Sequence, residues 1–292
     1  MPSLNDFAQI RTEDVPLARL TSMRVGGPAR FLFEPRSVDE LRELRDALVA
    51  QGVLFRVIGG GTNVIAGETG FAGAVIRLAG EFSKVSFDGA TATAGAAVSL
   101  PRLVRECAAR GSSGTEGLVG IPGTIGGALV MNAGGRWGEI GQIVASVRVL
   151  TGAGEVRDLE RSQIVFSYRR SSLRGVIVLS AAFALKESDP GAVESATTQF
   201  LARKRSSQDL GAASAGCVFR NPPSGDSAGA LIDRAGLKDF EIGGARVSAI
   251  HANFIVNTGS ATAGDVFALA ELVRAKVREK FGVDLEFEVE LW

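Results

Sequence analysis

The chain has 292 residues, about two domains at the usual ~150 residues each. Lys plus Arg and Asp plus Glu balance at 32 each, so no global field favours nucleic acid or an anionic membrane, and any phosphate recognition has to be local. Its single histidine, His251, excludes a His-rich metal site or an HExxH helix by inventory alone, so no metal is expected.

The longest apolar run, Val176 to Leu185 interrupted by Ser180, is well short of the ~18 residues of a membrane span. The N-terminal stretch has no basic region followed by an apolar one, so no signal peptide is expected. Cys107 and Cys217 have no spacing partner, which fits free thiols in a reducing compartment. The expectation is a cytoplasmic protein with no membrane, nucleic-acid or obligate protein partner.

Taken in chain order, Ser37-x-x-Glu40 is a capping box before Leu41, Leu44 and Leu48, with Gly52 as the stop. Leu54 to Ile58 reads as a short buried strand running into Gly59-Gly60-Gly61-Thr62-Asn63. Ala72 to Ala97 reads as short strands punctuated by Gly, and Ser99 to Arg110 as a helix ended by Gly111. A second Gly-rich block runs from Gly117 to Gly138. Val144–Leu150, Glu155–Leu159 and Val176–Leu185 read as strands.

The pattern breaks at Glu187 to Gly191, where a domain boundary is expected: 1–187, split near 80, then 188–292. Beyond it come a helix from Val193 to Arg205 and a strand from Val247 to Val256. A helix capped by Thr262-x-x-Asp265 and ended by Gly282 follows, then a last strand from Asp284 to Leu291. Arg203, Lys204 and Arg205 are expected on a solvated helix face. Strands and helices mix without a βαβ rhythm, so the class is α+β.

The first Gly cluster fails as a dinucleotide-binding turn. Val64 stands where the third Gly belongs, and Ala66 to Gly70 is turn-like where a helix should start. No Gly-Lys pair occurs, so there is no Walker A loop. What remains is a tight turn after a strand, rich in N–H groups. It suits a pyrophosphate nest, and a plain structural turn accounts for it equally well.

The second block is more telling. Gly120, Gly123, Gly126, Gly127 and Gly134, with Pro122, Thr124, Asn132 and Ala133 among them, leave little side-chain bulk, and glycine buries nothing while costing conformational entropy. A flat ligand pressed against backbone, such as FAD, suits that composition. Ser/His/Asp catalysis does not: there is no GxSxG elbow, and His251 sits in an apolar strand pattern.

These blocks together resemble the UDP-N-acetylenolpyruvoylglucosamine reductase family. Arg24-x-Gly26-Gly27, IGGGTNV at 58–64, the GIPGTIGGALVMNAGG block and Tyr168-Arg169-x-Ser171 occur in the family's order. So do Ala215 to Pro222, Ala230 to Asp233, Gly236-Leu237-Lys238, Val247-Ser248, His251 to Phe254 and Leu285 to Val289.

The resemblance implies an FAD-binding portion of the vanillyl-alcohol-oxidase or p-cresol-methylhydroxylase type, followed by a C-terminal α+β substrate-binding domain. It implies noncovalent FAD, with Gly59, Gly60, Gly61, Thr62, Asn63 and Val64 at the pyrophosphate. Gly120, Pro122, Gly123, Thr124, Gly126, Gly127, Asn132, Ala133 and Gly134 would run along the rest of the cofactor. NADPH would be the co-substrate, and flavin N5 would deliver hydride to the terminal carbon of a UDP-sugar enolpyruvyl ether, with a proton going to the α-carbon. That chemistry needs fixed positive charge at the carboxylate and an acid at the α-carbon. By resemblance Arg169 polarises the carboxylate, Glu288 helps stabilise the enol, and Tyr168, Arg220 and Asn221 bind sugar and diphosphate. Without the family, Glu288 reads as an exposed strand carboxylate among Glu286 and Glu290.

Three departures stand out. Cys217 occupies the position where the family usually carries its proton-donating serine. Glu290 stands where a basic residue is common. Tyr168 is the only tyrosine, and 48 residues separate it from Cys217, too few for the tyrosine-bearing loop of the family's longer form. The chain thus resembles the short form. Competing readings are another FAD-linked oxidase or dehydrogenase of the same superfamily, and a flavin- or nucleotide-sugar-binding module without catalysis.

Overall fold

The structure, a computed structural model, describes residues 3–292. The chain forms two compact units, each assembled from separate stretches. The first comprises Met1–Glu13, Phe31–Gly60 and Gly73–Lys204, the second Asp14–Arg30, Gly61–Ala72 and Arg205–Trp292. The Glu187–Gly191 break lies just ahead of and within the start of a helix of the first unit, Pro190–Arg205.

The first unit is built on a five-stranded antiparallel sheet. Its order is Val156–Glu160, Val144–Leu150, Ile177–Ala184, Thr91–Gly95, Val85–Asp88. Alternating residues of the central strands, Val147, Val149, Ala181 and Phe183, are buried in one core with Leu100, Leu103 and Cys107 of the helix Leu100–Ala109 (α2). Each large apolar side chain buried there contributes roughly 1.5–3 kcal/mol. Ahead of it in sequence, Val38–Ala50 (α1) buries Leu41, Leu44 and Leu48, and Ser37 Oγ accepts from Glu40 N–H. The capping box is not reciprocal: Glu40 instead accepts from Arg36 N–H at 2.6 Å.

A short helix, Ile125–Val130 (α3), lies inside the second Gly-rich block. Thr124 caps it, and its apolar residues Ile125 and Leu129 are fully buried. Pro190–Arg205 (α4) closes this unit's helices. At its charged end Arg203 and Arg205 are exposed as expected, but Lys204 is only 5% exposed. The ammonium donates to Val119 O at 2.6 Å and sits over the Trp137 ring, which a helical wheel alone does not reveal.

The second unit has a four-stranded sheet ordered Ser214–Cys217, Phe254–Asn257, Ala245–Val247, Glu241–Ile242. Its helices are Ala228–Arg234 (α5) and Ala263–Phe281 (α6). Thr262 and Asp265 form the expected capping box of α6, and Gly282 ends it at φ +70°. Val266, Leu269, Ala270, Val273 and Val277 of α6 are buried in the core that holds the sheet's Ala215, Val247 and Ile255.

Two expected strands differ here. Val247 to Val256 is two strands joined by a turn, because Ser248 Oγ accepts from both Ile250 N–H and His251 N–H and folds the chain back. Of Asp284 to Leu291 only Glu290–Leu291 is a regular strand, paired in parallel with Val64–Ile65. The residues before it are tied elsewhere, as the site shows.

Candidate active site

In the first unit the sequence's candidates gather on two segments, 120–134 and 167–171. Phe166–Ser167 and Arg170–Ser171 pair as a minimal hairpin, leaving Tyr168 and Arg169 as its two turn residues. Arg169 has φ +56°, at a turn position where Gly or Asn is usual. Holding Arg there costs roughly 1–3 kcal/mol, the kind of strain found at functional sites. The turn is tied down: Arg169 Nη1 donates to Gly134 O at 2.6 Å and Ser171 Oγ to Val130 O at 3.0 Å. Tyr168 is 47% exposed, its ring beneath the Arg169 guanidinium.

Asn132 is buried and also has positive φ, +45°, which Asn tolerates. Its amide donates to Glu139 and to Ser167 O, and accepts from Gly141 N–H. The neighbouring Ala133 N–H donates to Ala128 O.

The glycines divide by what surrounds them. A Cβ at Gly59 would lie 2.3 Å from Thr124 Oγ1, and one at Gly134 2.5 Å from Glu139 Cα; there the protein itself needs glycine. Gly126 is less constrained, its would-be Cβ 3.1 Å from Ala96 Cβ, and its N–H donates to Ala96 O. Gly127 is different. It is exposed in the first turn of α3, and a Cβ there would meet nothing nearer than Thr124 Oγ1 at 3.7 Å. Glycine in a helix costs ~1 kcal/mol relative to alanine, and the chain's own packing gives no reason for it. Backbone left bare toward open space fits a flat group approaching the helix, as FAD would. Gly120 and Gly123 have positive φ, and Gly123 O accepts from Leu100 N–H, while Pro122 and Gly60 are exposed.

In the second unit, Gly61 adopts φ +61° with its would-be Cβ 1.9 Å from Leu20 O, so no other residue fits. Thr62 is half-buried beside it. Asn63 Nδ2 donates to Glu288 O, Asn63 O accepts from Glu290 N–H, and Val64 pairs with Glu290.

Residues 218–220 and 286–288 run antiparallel. Glu288 N–H donates to Val218 O, Arg220 N–H donates to Glu286 O, and Phe219 bridges Phe287 with their rings 5.3 Å apart. This pairing brings Cys217, Arg220 and Glu288 into one neighbourhood. Glu288 is 8% exposed, so the reading as an exposed strand carboxylate is wrong. Cys217 is half-buried, in no disulfide, and sits at a register shift of its strand next to Gly216 at φ +77°. Arg220 Nε is buried with no hydrogen-bond partner among the described residues, and Arg220 Nη1 lies 4.0 Å from Glu286 Oε2. Asn221 Oδ1 accepts from Ala228 N–H at the start of α5.

Three residues escaped the sequence reading. Asn253 grips the Phe219 backbone with both ends of its amide, accepting from Phe219 N–H and donating to Phe219 O. Glu139 and Lys204 act in the first unit. Burial, and after it the charge of Arg169, pushes the Lys204 ammonium down to about 8. A lone Asn or Glu carries no sequence signal of such a role. His251 serves structure: its Nδ1 accepts from Asn253 N–H, and burial lowers its pKa. Among the described residues no acidic, His or Cys cluster suits a metal, and no helix is long and apolar enough to cross a membrane.

Residues 29–160 match the FAD binding domain family, and residues 208–292 match the UDP-N-acetylenolpyruvoylglucosamine reductase C-terminal domain. UDP-N-acetylenolpyruvoylglucosamine reductase 2 of Symbiobacterium thermophilum is 43% identical over 99% of this chain and 94% of its own length. The reductase of Bacillus subtilis is 37% identical over 94% of this chain and 92% of its own. The crystal structure of UDP-N-acetylenolpyruvylglucosamine reductase from Thermus caldophilus superposes with a TM-score of 0.84 at 39% identity, covering 96% of this chain and 98% of that one.

Proposed function

This chain belongs to the UDP-N-acetylenolpyruvoylglucosamine reductase family, and from that membership we infer that it reduces UDP-N-acetylglucosamine enolpyruvate to UDP-N-acetylmuramate. It is an FAD-dependent oxidoreductase that uses NADPH, acting in peptidoglycan precursor synthesis. The similarity along nearly the whole chain carries this conclusion. Two cysteines that form no disulfide fit a cytoplasmic setting.

Noncovalent FAD would be held by Gly59 to Val64 and by the 120–134 segment, and when bound it supplies the two-electron link between NADPH and the enolpyruvyl double bond. The bare backbone at Gly127 supports that cradle. Arg169 is assigned to the enolpyruvyl carboxylate, where a preformed cation stabilises the negative charge that builds as the double bond is reduced. Its turn, fixed before substrate arrives, spares the reaction the cost of orienting it.

Cys217 is assigned as the acid that gives its Sγ proton to the α-carbon. A thiol, with an ordinary pKa of ~8.5, is mostly protonated at neutral pH and a stronger acid than serine's hydroxyl. Glu288 is assigned to the enol, and its pairing opposite Val218, one residue from Cys217, supports the two working on one intermediate. Arg220, with a buried donor unspent by the protein, suits the substrate diphosphate. Tyr168 and Asn221 are assigned to the same substrate.

The test is anaerobic. NADPH should bleach the purified yellow protein, and the enolpyruvyl nucleotide sugar should restore its colour while UDP-N-acetylmuramate forms. Bleaching without recolouring by that sugar would point to another oxidase or dehydrogenase. A flavin that never cycles would point to a binding module. Acid should release the flavin into the supernatant, since no covalent tether is expected.

A further inference from the structure

We propose that Glu139 and Asn132 form a positioning pair that fixes the Ser167–Arg170 turn and thereby aims the Arg169 guanidinium. The proposal rests on the reading of Arg169 as the partner of the substrate carboxylate. Neither residue touches substrate in this scheme; both act through the turn.

The Asn132 side chain is spent on protein partners. One Nδ2 proton goes to Glu139 Oε2 at 2.7 Å, the other to Ser167 O at 3.0 Å, and Oδ1 accepts from Gly141 N–H at 3.1 Å. Ser167 is the residue just before the Tyr168-Arg169 turn and pairs with Arg170. The amide therefore holds the turn by its entering carbonyl. Glu139 orients the amide: an ionised carboxylate accepts strongly from Nδ2, and it leaves Oδ1 pointed at Gly141. The carboxylate is itself held, since Glu139 and Gln142 cap each other around the 140–142 turn.

The same hairpin supplies the turn's other anchor. Gly134 pairs with Glu139, and Gly134 O accepts from Arg169 Nη1 at 2.6 Å. One end of the Arg169 turn is thus fixed through Asn132 and the guanidinium through Gly134, both registered on Glu139. Two non-glycine residues at positive φ, Asn132 and Arg169, face each other across this network. Such conformations persist only where the surroundings over-determine them.

The test uses four variants of the FAD-loaded protein: Glu139→Ala, Asn132→Asp, the double Asn132→Asp/Glu139→Gln, and Gln142→Ala as a control that loses only the cap. Flavin reduction by NADPH and reoxidation by the enolpyruvyl substrate are followed separately. Calorimetric binding of UDP-N-acetylmuramate to the oxidised protein gives a readout independent of turnover. Misaiming a group by about an ångström costs up to ~10²-fold, so Glu139→Ala should slow reoxidation roughly tenfold and weaken product binding, with reduction little changed. Asn132→Asp sets two carboxylates against each other, and the double variant restores a donor–acceptor pair with the roles exchanged, so it should react faster than Asn132→Asp alone. If Glu139→Ala does not fold, Glu139→Gln, which removes the charge but keeps the volume, carries the same readouts.

Unchanged reoxidation in the Glu139 variant while Arg169→Ala slows it overturns the pair and leaves Arg169 standing. Equal slowing of both half-reactions also overturns the pair, since it signals general loosening. Normal reoxidation by Arg169→Ala removes the reading of Arg169 and the pair's role with it.

Discussion

The two regions that carry the proposed chemistry are held in opposite ways. In the first unit the Arg169 turn is strained and locked by side chains: Asn132 on Ser167, Ser171 on Val130, and the guanidinium on Gly134. In the second unit Cys217 sits where the register of its strand slips, beside a left-handed Gly216 around which a Cβ would meet no other atom. Immediately after it the ladder resumes, with Asn253 gripping Phe219 and Glu288 bonded to Val218. A group that stabilises charge has to be in place before the charge develops. A group that hands over a proton has to lie within hydrogen-bond reach of the atom that takes it. The contrast is between a cation on a turn locked by side chains and a thiol at a break in strand pairing.

The largest expected effect concerns the thiol side. Cys217→Ala should slow flavin reoxidation by ~10²–10⁴-fold, the usual worth of a general acid, and leave reduction by NADPH intact. Cys217→Ser should recover much of it. Near-normal turnover by Cys217→Ala in stopped-flow would leave water or another side chain as the donor.

On the rigid side, Arg169→Ala should cost ~10²–10³-fold in the same half-reaction. Arg169→Lys should rescue little, because an ammonium cannot reproduce a planar fork anchored at Gly134 O. Full rescue by lysine would show that charge alone matters and that the lock is incidental.

A smaller effect concerns Lys204. Burial first, then Arg169, lowers its pKa from 10.5 to about 8. Between those values the unfolded chain holds more protons than the folded one, so this group's contribution to stability rises with pH, by at most about 1.4 kcal/mol per pH unit. Below pH 8 the buried charge is a standing cost. Denaturant unfolding of wild type and Lys204→Met should therefore diverge in favour of wild type as pH rises from 8 to 10. A constant difference across that range would mean the ammonium is not buried in solution.

The smallest effect separates the two thiols. Cys107 is fully buried, and burial raises its pKa to about 11. A thiol reagent should titrate one cysteine per native chain and two after denaturation, with substrate protecting the first. Two fast-reacting thiols in the native protein would contradict the enclosure of α2.

How much of this was legible in the sequence depends on range. Helix starts and stops were readable because Ser37, Thr262 and Gly282 act on backbone within one turn of themselves. The α+β class and the sheet strands Val144–Leu150 and Ile177–Ala184 followed from local apolar patterns. The resemblance to a family supplied the site residues, and the residues alone would not have. Glu288 looked exposed because its ladder partner lies 70 positions earlier, at Val218. The burial of Lys204 depends on Val119, Gly117 and Trp137, none of them near it in sequence. Ser248 broke an apolar stretch that periodicity reads as one strand, since a hydroxyl's choice of backbone donors is invisible to hydropathy.

The bonds between Asn63 and the 288–290 segment carry a thermodynamic obligation. Asn63 belongs to the stretch assigned to the cofactor's pyrophosphate, and it holds Glu288 O and Glu290 N–H directly. Order imposed on one segment is shared by the other, and such coupling is reciprocal by linkage. A nucleotide sugar that engages Glu288 should therefore tighten the equilibrium binding of FAD by the same free energy with which FAD tightens the sugar. The FAD dissociation constant, measured at equilibrium with and without the sugar, then reports that coupling with no turnover needed.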